Sequence, residues 1–72
     1  MISATIQDQI AEVRREIEMR KRTYVRMMGQ GKMSAGEAEL KTTIMIAVLT
    51  TLEELRDVRR GEALAHSASP LS

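Results

Sequence analysis

Two of the four glycines in this chain lie within residues 29–34, a short segment that separates two long stretches of helical pattern. Glycine readily adopts the left-handed backbone conformation that ends a helix. Apolar residues recur at steps of three and four on both sides of the segment. The sequence therefore predicts an all-α fold, an antiparallel hairpin with one helix at about residues 4–28, a turn at residues 29–34 and a second helix at about residues 35–60.

The first helix has a coiled-coil-like apolar seam with one position missing. Ser3 or Thr5 is expected to cap its start, since a hydroxyl can accept a hydrogen bond from a free N–H of the first turn. Arg20 occupies the missing seam position, and Gly29 is expected to supply the left-handed residue that ends the helix. The seam consists of Ile6, Ile10, Val13, Ile17, Tyr24 and Met27.

The second helix has sequence signals at both ends. Ser34 and Glu37 have the spacing of a capping box, which predicts a helix start at residue 35. Two arginines followed by Gly61 predict its end near residue 60. Residues 62–72 contain small residues, three serines and Pro70, so we expect a disordered C-terminal tail.

The second helix is too apolar to be covered by the first helix alone. Every residue from 44 to 49 is apolar, whereas one antiparallel neighbour covers only one stripe of a helix. A chain of 72 residues without cysteine also needs some support beyond its own core. We therefore predict a homo-oligomeric helical bundle. The predicted interface residues are Ile44, Met45, Val48, Leu49, Leu52 and Leu55.

Composition excludes several classes of site and favours a soluble protein. A chain with no cysteine and one histidine, His66, has no disulfide framework and no multi-histidine metal site. No apolar run is long enough to span a bilayer, and the N-terminal residues do not resemble a secretory leader. From the N-terminal residues and the short apolar runs we predict a cytoplasmic protein. Because no nucleophile, phosphate-binding loop or carboxylate pair stands out, we also predict that it is not an enzyme and uses no metal or cofactor.

Basic residues are concentrated around the predicted bend. Arginine forks match phosphate oxygens, a tyrosine can stack on a base, and the start of the second helix favours an anion. These features predict a site for an anionic, nucleotide-like ligand, although a solvated charged face has the same composition. The candidate ligand-binding residues are Arg20, Arg22, Tyr24, Arg26, Lys32 and Ser34.

Two further functions are compatible with the sequence. An adaptor or inhibitor of a host protein would use an apolar helix face, with the arginines on its rim. A DNA-associated accessory protein would use the arginines on phosphates, but interleaved glutamates and the small net charge of +1 make this the weaker alternative.

A motif spans the first helix and the bend, and it consists of Glu16, Ile17, Met19, Arg20, Tyr24 and Arg26, then Gly31, Lys32 and Met33. This motif resembles a group of small phage and prophage proteins. Those proteins usually have proline where this chain has Val25, so the first helix is expected to be more regular here. The resemblance covers about residues 16–52 and implies a phage protein that acts in the bacterial cytoplasm. Small helical phage proteins include inhibitors of bacterial immunity, some of which sequester cyclic nucleotide signals.

Overall fold

The protein is an all-α hairpin of two helices. The computed structural model describes the backbone of residues 3–67 and the side chains of residues 3–62. Helix α1 spans Ile6–Gly29 and helix α2 spans Ala35–Ser67, with a five-residue connection between them. Pairing of the two helices confirms the predicted hairpin.

Helix α1 begins at a complete capping box. The Thr5 hydroxyl accepts a hydrogen bond from the Asp8 N–H at 3.1 Å, and the Thr5 N–H donates to the Asp8 carboxylate at 3.2 Å. Thr5, rather than Ser3, is therefore the N-cap of α1. The Asp8 carboxylate also lies at the positive end of the helix dipole, which stabilises the first turn.

The end of α1 corrects one prediction. Gly31, and not Gly29, is the left-handed residue, with φ of 71°. The Lys32 N–H donates to the Met27 carbonyl at 2.9 Å, and the Gly31 N–H donates to the Met28 carbonyl at 3.0 Å. This pair of bonds forms a Schellman motif, which satisfies the last carbonyls of α1 and requires the left-handed residue at position 31.

Alanine substitution of these two glycines should have opposite effects on stability. Gly31→Ala should lower the free energy of unfolding by about 1 kcal/mol, because a side chain is strained in the left-handed conformation. Gly29→Ala should raise it by about 0.5–1 kcal/mol, because Gly29 is helical and glycine weakens helices. Neither added Cβ meets another atom within 4 Å. Urea unfolding of both variants at one protein concentration tests this, and a loss of stability in both would contradict it.

Helix α2 begins where predicted but extends further than predicted. The Ser34 hydroxyl accepts a hydrogen bond from the Glu37 N–H at 3.1 Å. The helix passes through Gly61 and continues to Ser67, so the expected end near residue 60 is wrong. One glycine costs a helix roughly 1 kcal/mol, and the helix-forming residues Glu62 to Ala65 follow it directly. Residues 68–72 of the predicted tail lie outside the described part of the chain.

The core between the two helices is thin. Among residues 3–62, only Ile10, Ile17 and Ala38 are buried apolar side chains. Arg14 bridges the helices through an ion pair with Glu53 at 2.5 Å, but its side chain is exposed and such pairs contribute little. Burial of apolar area is the main source of stability, so one hairpin alone gains only a small part of the stabilisation that a larger core gives a domain.

Candidate functional site

The bend forms a positively charged end of the hairpin. No acidic residue occurs in residues 20–36, whereas five basic residues do, and the turn holds the end of α1 next to the start of α2. Charges of one sign at one end of a small protein attract ions of the opposite sign. The five basic residues are Arg20, Lys21, Arg22, Arg26 and Lys32.

Two of these five cations already have carboxylate partners on α1. The Arg20 guanidinium donates to Glu16 at 2.8 Å, and the Lys21 ammonium lies 3.4 Å from Glu18. The hydrogen bond to Glu16 raises the pKa of Arg20 above its ordinary value. Because both pairs are exposed to solvent, they are weak and a strongly charged ligand could replace either carboxylate.

The other three cations make no ion pair among the residues that the structure describes. Arg22 and Arg26 are one helical turn apart and therefore share a face of α1. Arg20 lies about 160° around the helix from Arg22, given 3.6 residues per turn. The structure therefore divides the predicted arginines between two faces of α1, so one small ligand cannot contact all of them within a single hairpin.

An open groove of about 440 Å³ lies between the helices close to the bend. Tyr24 is half-buried and is the only predicted site residue that lines it. The groove is mostly apolar, so it suits the flat face of a ring better than a phosphate group. Its other lining residues are Lys21, Val25, Met28, Ala35, Ala38, Glu39, Thr42 and Thr43.

The Ser34 hydroxyl is already used as a helix cap. It caps α2 by accepting from the Glu37 N–H, and the Ser34 carbonyl accepts from the Ala38 N–H at 3.0 Å. Within the described residues, the N–H groups of Ala35 and Gly36 have no partner in the protein. These two donors lie at the positive end of the α2 dipole, where an anion is favoured.

A second surface runs along α2 on a side that α1 leaves exposed. We call it the outer stripe, and its large apolar side chains remain between 39% and 60% exposed. It contains half of the predicted interface, namely Ile44, Val48 and Leu55. The other predicted residues, Met45, Leu49 and Leu52, are half-buried on the side of α2 that carries the buried Ala38. The outer stripe consists of Leu40, Ile44, Val48, Leu55 and Val58.

Leu40 and Val58 were absent from the predicted interface, although they form the two ends of the outer stripe. Their exposure is 60% and 56%. The signal for both is visible in the sequence, because Leu40 precedes Ile44 by four residues and Val58 follows Leu55 by three. The predicted interface instead centres on the continuous apolar run, whose residues point in several directions around the helix.

The described residues provide neither a metal site nor a membrane-spanning helix. Within the described part of the chain, no group of histidine, cysteine or acidic side chains is placed to hold a metal ion. Neither described helix contains an apolar stretch long enough to cross a bilayer. The His66 side chain lies outside the described residues.

Comparisons with protein-family models, with curated proteins and with solved structures gave no match for this chain.

Proposed function

We propose that this protein is a non-enzymatic, homo-oligomeric hairpin that binds an anionic, nucleotide-like ligand at its positive end. The observation that carries the proposal is the group of three cations, Arg22, Arg26 and Lys32, that have no counter-ion among the described residues. A phosphate group bound there would form charge-assisted hydrogen bonds with guanidinium groups. The apolar groove beside Tyr24 would accept the base.

Assembly is part of the same proposal. The exposed outer stripe and the thin core both favour such assembly, because a shared core would bury apolar side chains that one hairpin leaves in water.

The motif of the first helix and the bend suggests where the protein acts and which ligand it binds. Its resemblance to small phage proteins supports the proposal that this is a phage protein of the bacterial cytoplasm, and that it sequesters a nucleotide signal of host immunity. Four of the candidate site residues, Arg20, Tyr24, Arg26 and Lys32, occupy motif positions.

Thermal unfolding with a panel of cyclic and linear nucleotides tests the ligand proposal. At least one nucleotide should raise the melting temperature, since a ligand at 100 times its Kd adds about 2.7 kcal/mol of stability. Each kcal/mol corresponds to about 4–8 °C for a domain of this size. Arg26→Glu should abolish the shift, because it places a negative charge where the phosphate would bind.

Arg59→Glu is the matched control, because Arg59 is an exposed arginine at the far end of the hairpin. It makes the same change of charge and should leave the shift intact. If no nucleotide stabilises a folded, assembled protein, or if both variants lose the shift equally, the ligand proposal is wrong.

A second candidate function is an adaptor or inhibitor that binds a host protein through the outer stripe. The exposure of five large apolar side chains on one face of α2 favours it, since such patches are common at protein interfaces. It predicts that Ile44→Glu releases a specific partner from the purified protein, whereas Arg26→Glu does not.

A further inference from the structure

The outer stripe has the spacing of a helix-packing seam. From Ile44 onward, and with Thr51 included, its residues follow one another at steps of four, three, four and three over four turns of α2. This is the pattern of a and d positions in a coiled coil. The seam contains no charged side chain, so another helix can cover it without burying an unpaired charge. The seam residues are Ile44, Val48, Thr51, Leu55 and Val58.

Helix α1 leaves this seam largely uncovered. Of the seam residues, Val48 borders a groove that Val13 of α1 also lines, and it is still 41% exposed. Ala38 is 6% exposed, and Met45 and Leu49 are half-buried along the same side. Ile44 and Leu55 lie away from this side, at 54% and 39% exposure. An identical seam on a second copy is a suitable cover, because it is apolar, free of charge and of the same length.

The two ends of the hairpin differ in charge, and this difference selects an orientation. Residues 20–39 at the bend end contain five basic and two acidic residues. The opposite end, formed by residues 3–12 and 53–62, contains six acidic and three basic residues. Parallel pairing would place two positive ends side by side, whereas antiparallel pairing places each positive end beside a negative one.

We propose that two copies pack their outer stripes together in antiparallel orientation, forming a four-helix bundle with α2 helices at its centre and bends at opposite ends. This proposal deepens the homo-oligomeric assembly proposed above and rests on it. In the register that alternates a and d positions, Ile44 lies opposite Leu55 of the second copy and Val48 lies opposite Thr51 of the second copy. The contact is isologous, as in most homodimers.

Single cysteines test this arrangement cleanly, because the chain has none of its own. Thr51→Cys lies close to the two-fold axis, so a short bismaleimide should join two copies. Thr50→Cys is the matched control, since it is an exposed threonine about 100° around the helix from Thr51. It should form cross-linked dimers far more slowly.

The orientation is read from two further experiments. A mixture of Ile44→Cys and Leu55→Cys chains should give a cross-linked heterodimer. Val58→Cys alone should not cross-link, because the two copies of this residue lie roughly 25 Å apart along an antiparallel pair at 1.5 Å per residue. In a parallel pair they would be neighbours.

Each outcome of these experiments has one meaning when the mass in solution is measured on the same samples. Cross-linking at Thr51 and in the mixture, but not at Val58 or Thr50, supports the antiparallel bundle. An assembled particle that cross-links at Val58, that cross-links as fast at Thr50 as at Thr51, or that fails to cross-link at Thr51 or in the mixed pair overturns it and leaves homo-oligomeric assembly standing. A particle with the mass of one chain overturns both proposals.

Discussion

Replacing Ile17 with alanine is expected to lower the free energy of unfolding by about 2–4 kcal/mol. Ile17 is 6% exposed and is one of three buried apolar side chains among residues 3–62. A domain of this size rarely has more than about 3–5 kcal/mol of stability from its core. The loss should therefore leave much of the protein unfolded at room temperature, which circular dichroism in a urea titration would detect.

Met19→Ala is the matched control for this prediction. Met19 lies two residues further along α1, and its side chain is 53% exposed. Removing it should change the free energy of unfolding by no more than about 0.5 kcal/mol. Equal effects of the two substitutions would mean that the buried face of α1 is not the one described above.

The hairpin itself could be predicted from the sequence because its signals are local. Apolar steps of three and four define both helices, and Ser34 with the glycines at positions 29 and 31 defines the turn. The choice between those two glycines could not be predicted, since either can adopt a positive φ. It depends on which carbonyls of α1 accept the N–H groups of Gly31 and Lys32.

The end of α2 was mispredicted for a different physical reason. Gly61 after two arginines is a common stop signal, but a single glycine weakens a helix without breaking it. No proline or turn sequence follows Gly61 directly, and the next four residues favour helix. The stop motif does not show whether the cost of one glycine outweighs the helix propensity of the residues that follow it.

The candidate site was predicted only in outline. Clustering of the cations around the bend follows from their positions in the chain. Pairing of Arg20 with Glu16 and capping by Ser34 depend on side-chain geometry that spacing alone does not fix. The half-burial of Met45, Leu49 and Leu52 likewise depends on which side of α2 meets α1, because every position of that apolar run is compatible with a core.

Replacing Ile44 with glutamate is expected to dissociate the assembled protein. Ile44 lies in the seam of the outer stripe, where a carboxylate would lose water without gaining a partner. Because an isologous interface contains the residue twice, the substitution should weaken association on the order of 100-fold or more. Size-exclusion chromatography with light scattering over a range of concentrations measures the effect.

Ile46→Glu distinguishes this effect from a general loss of apolar surface. Ile46 is also an exposed isoleucine of α2, at 45%, but lies about 160° around the helix from Ile44. It is expected to leave the assembly intact. Dissociation by Ile46→Glu with no effect of Ile44→Glu would place the interface on the exposed side of α2 that carries Ile46.

Sedimentation equilibrium of the unmodified protein tests the need for assembly most directly. A single chain has a mass of 8.1 kDa. Because one hairpin leaves the outer stripe in water, we predict a particle of at least two chains at low micromolar concentration, with helical content that falls as it dissociates. A folded, helical particle of one chain at that concentration would contradict the shared core on which both proposals depend.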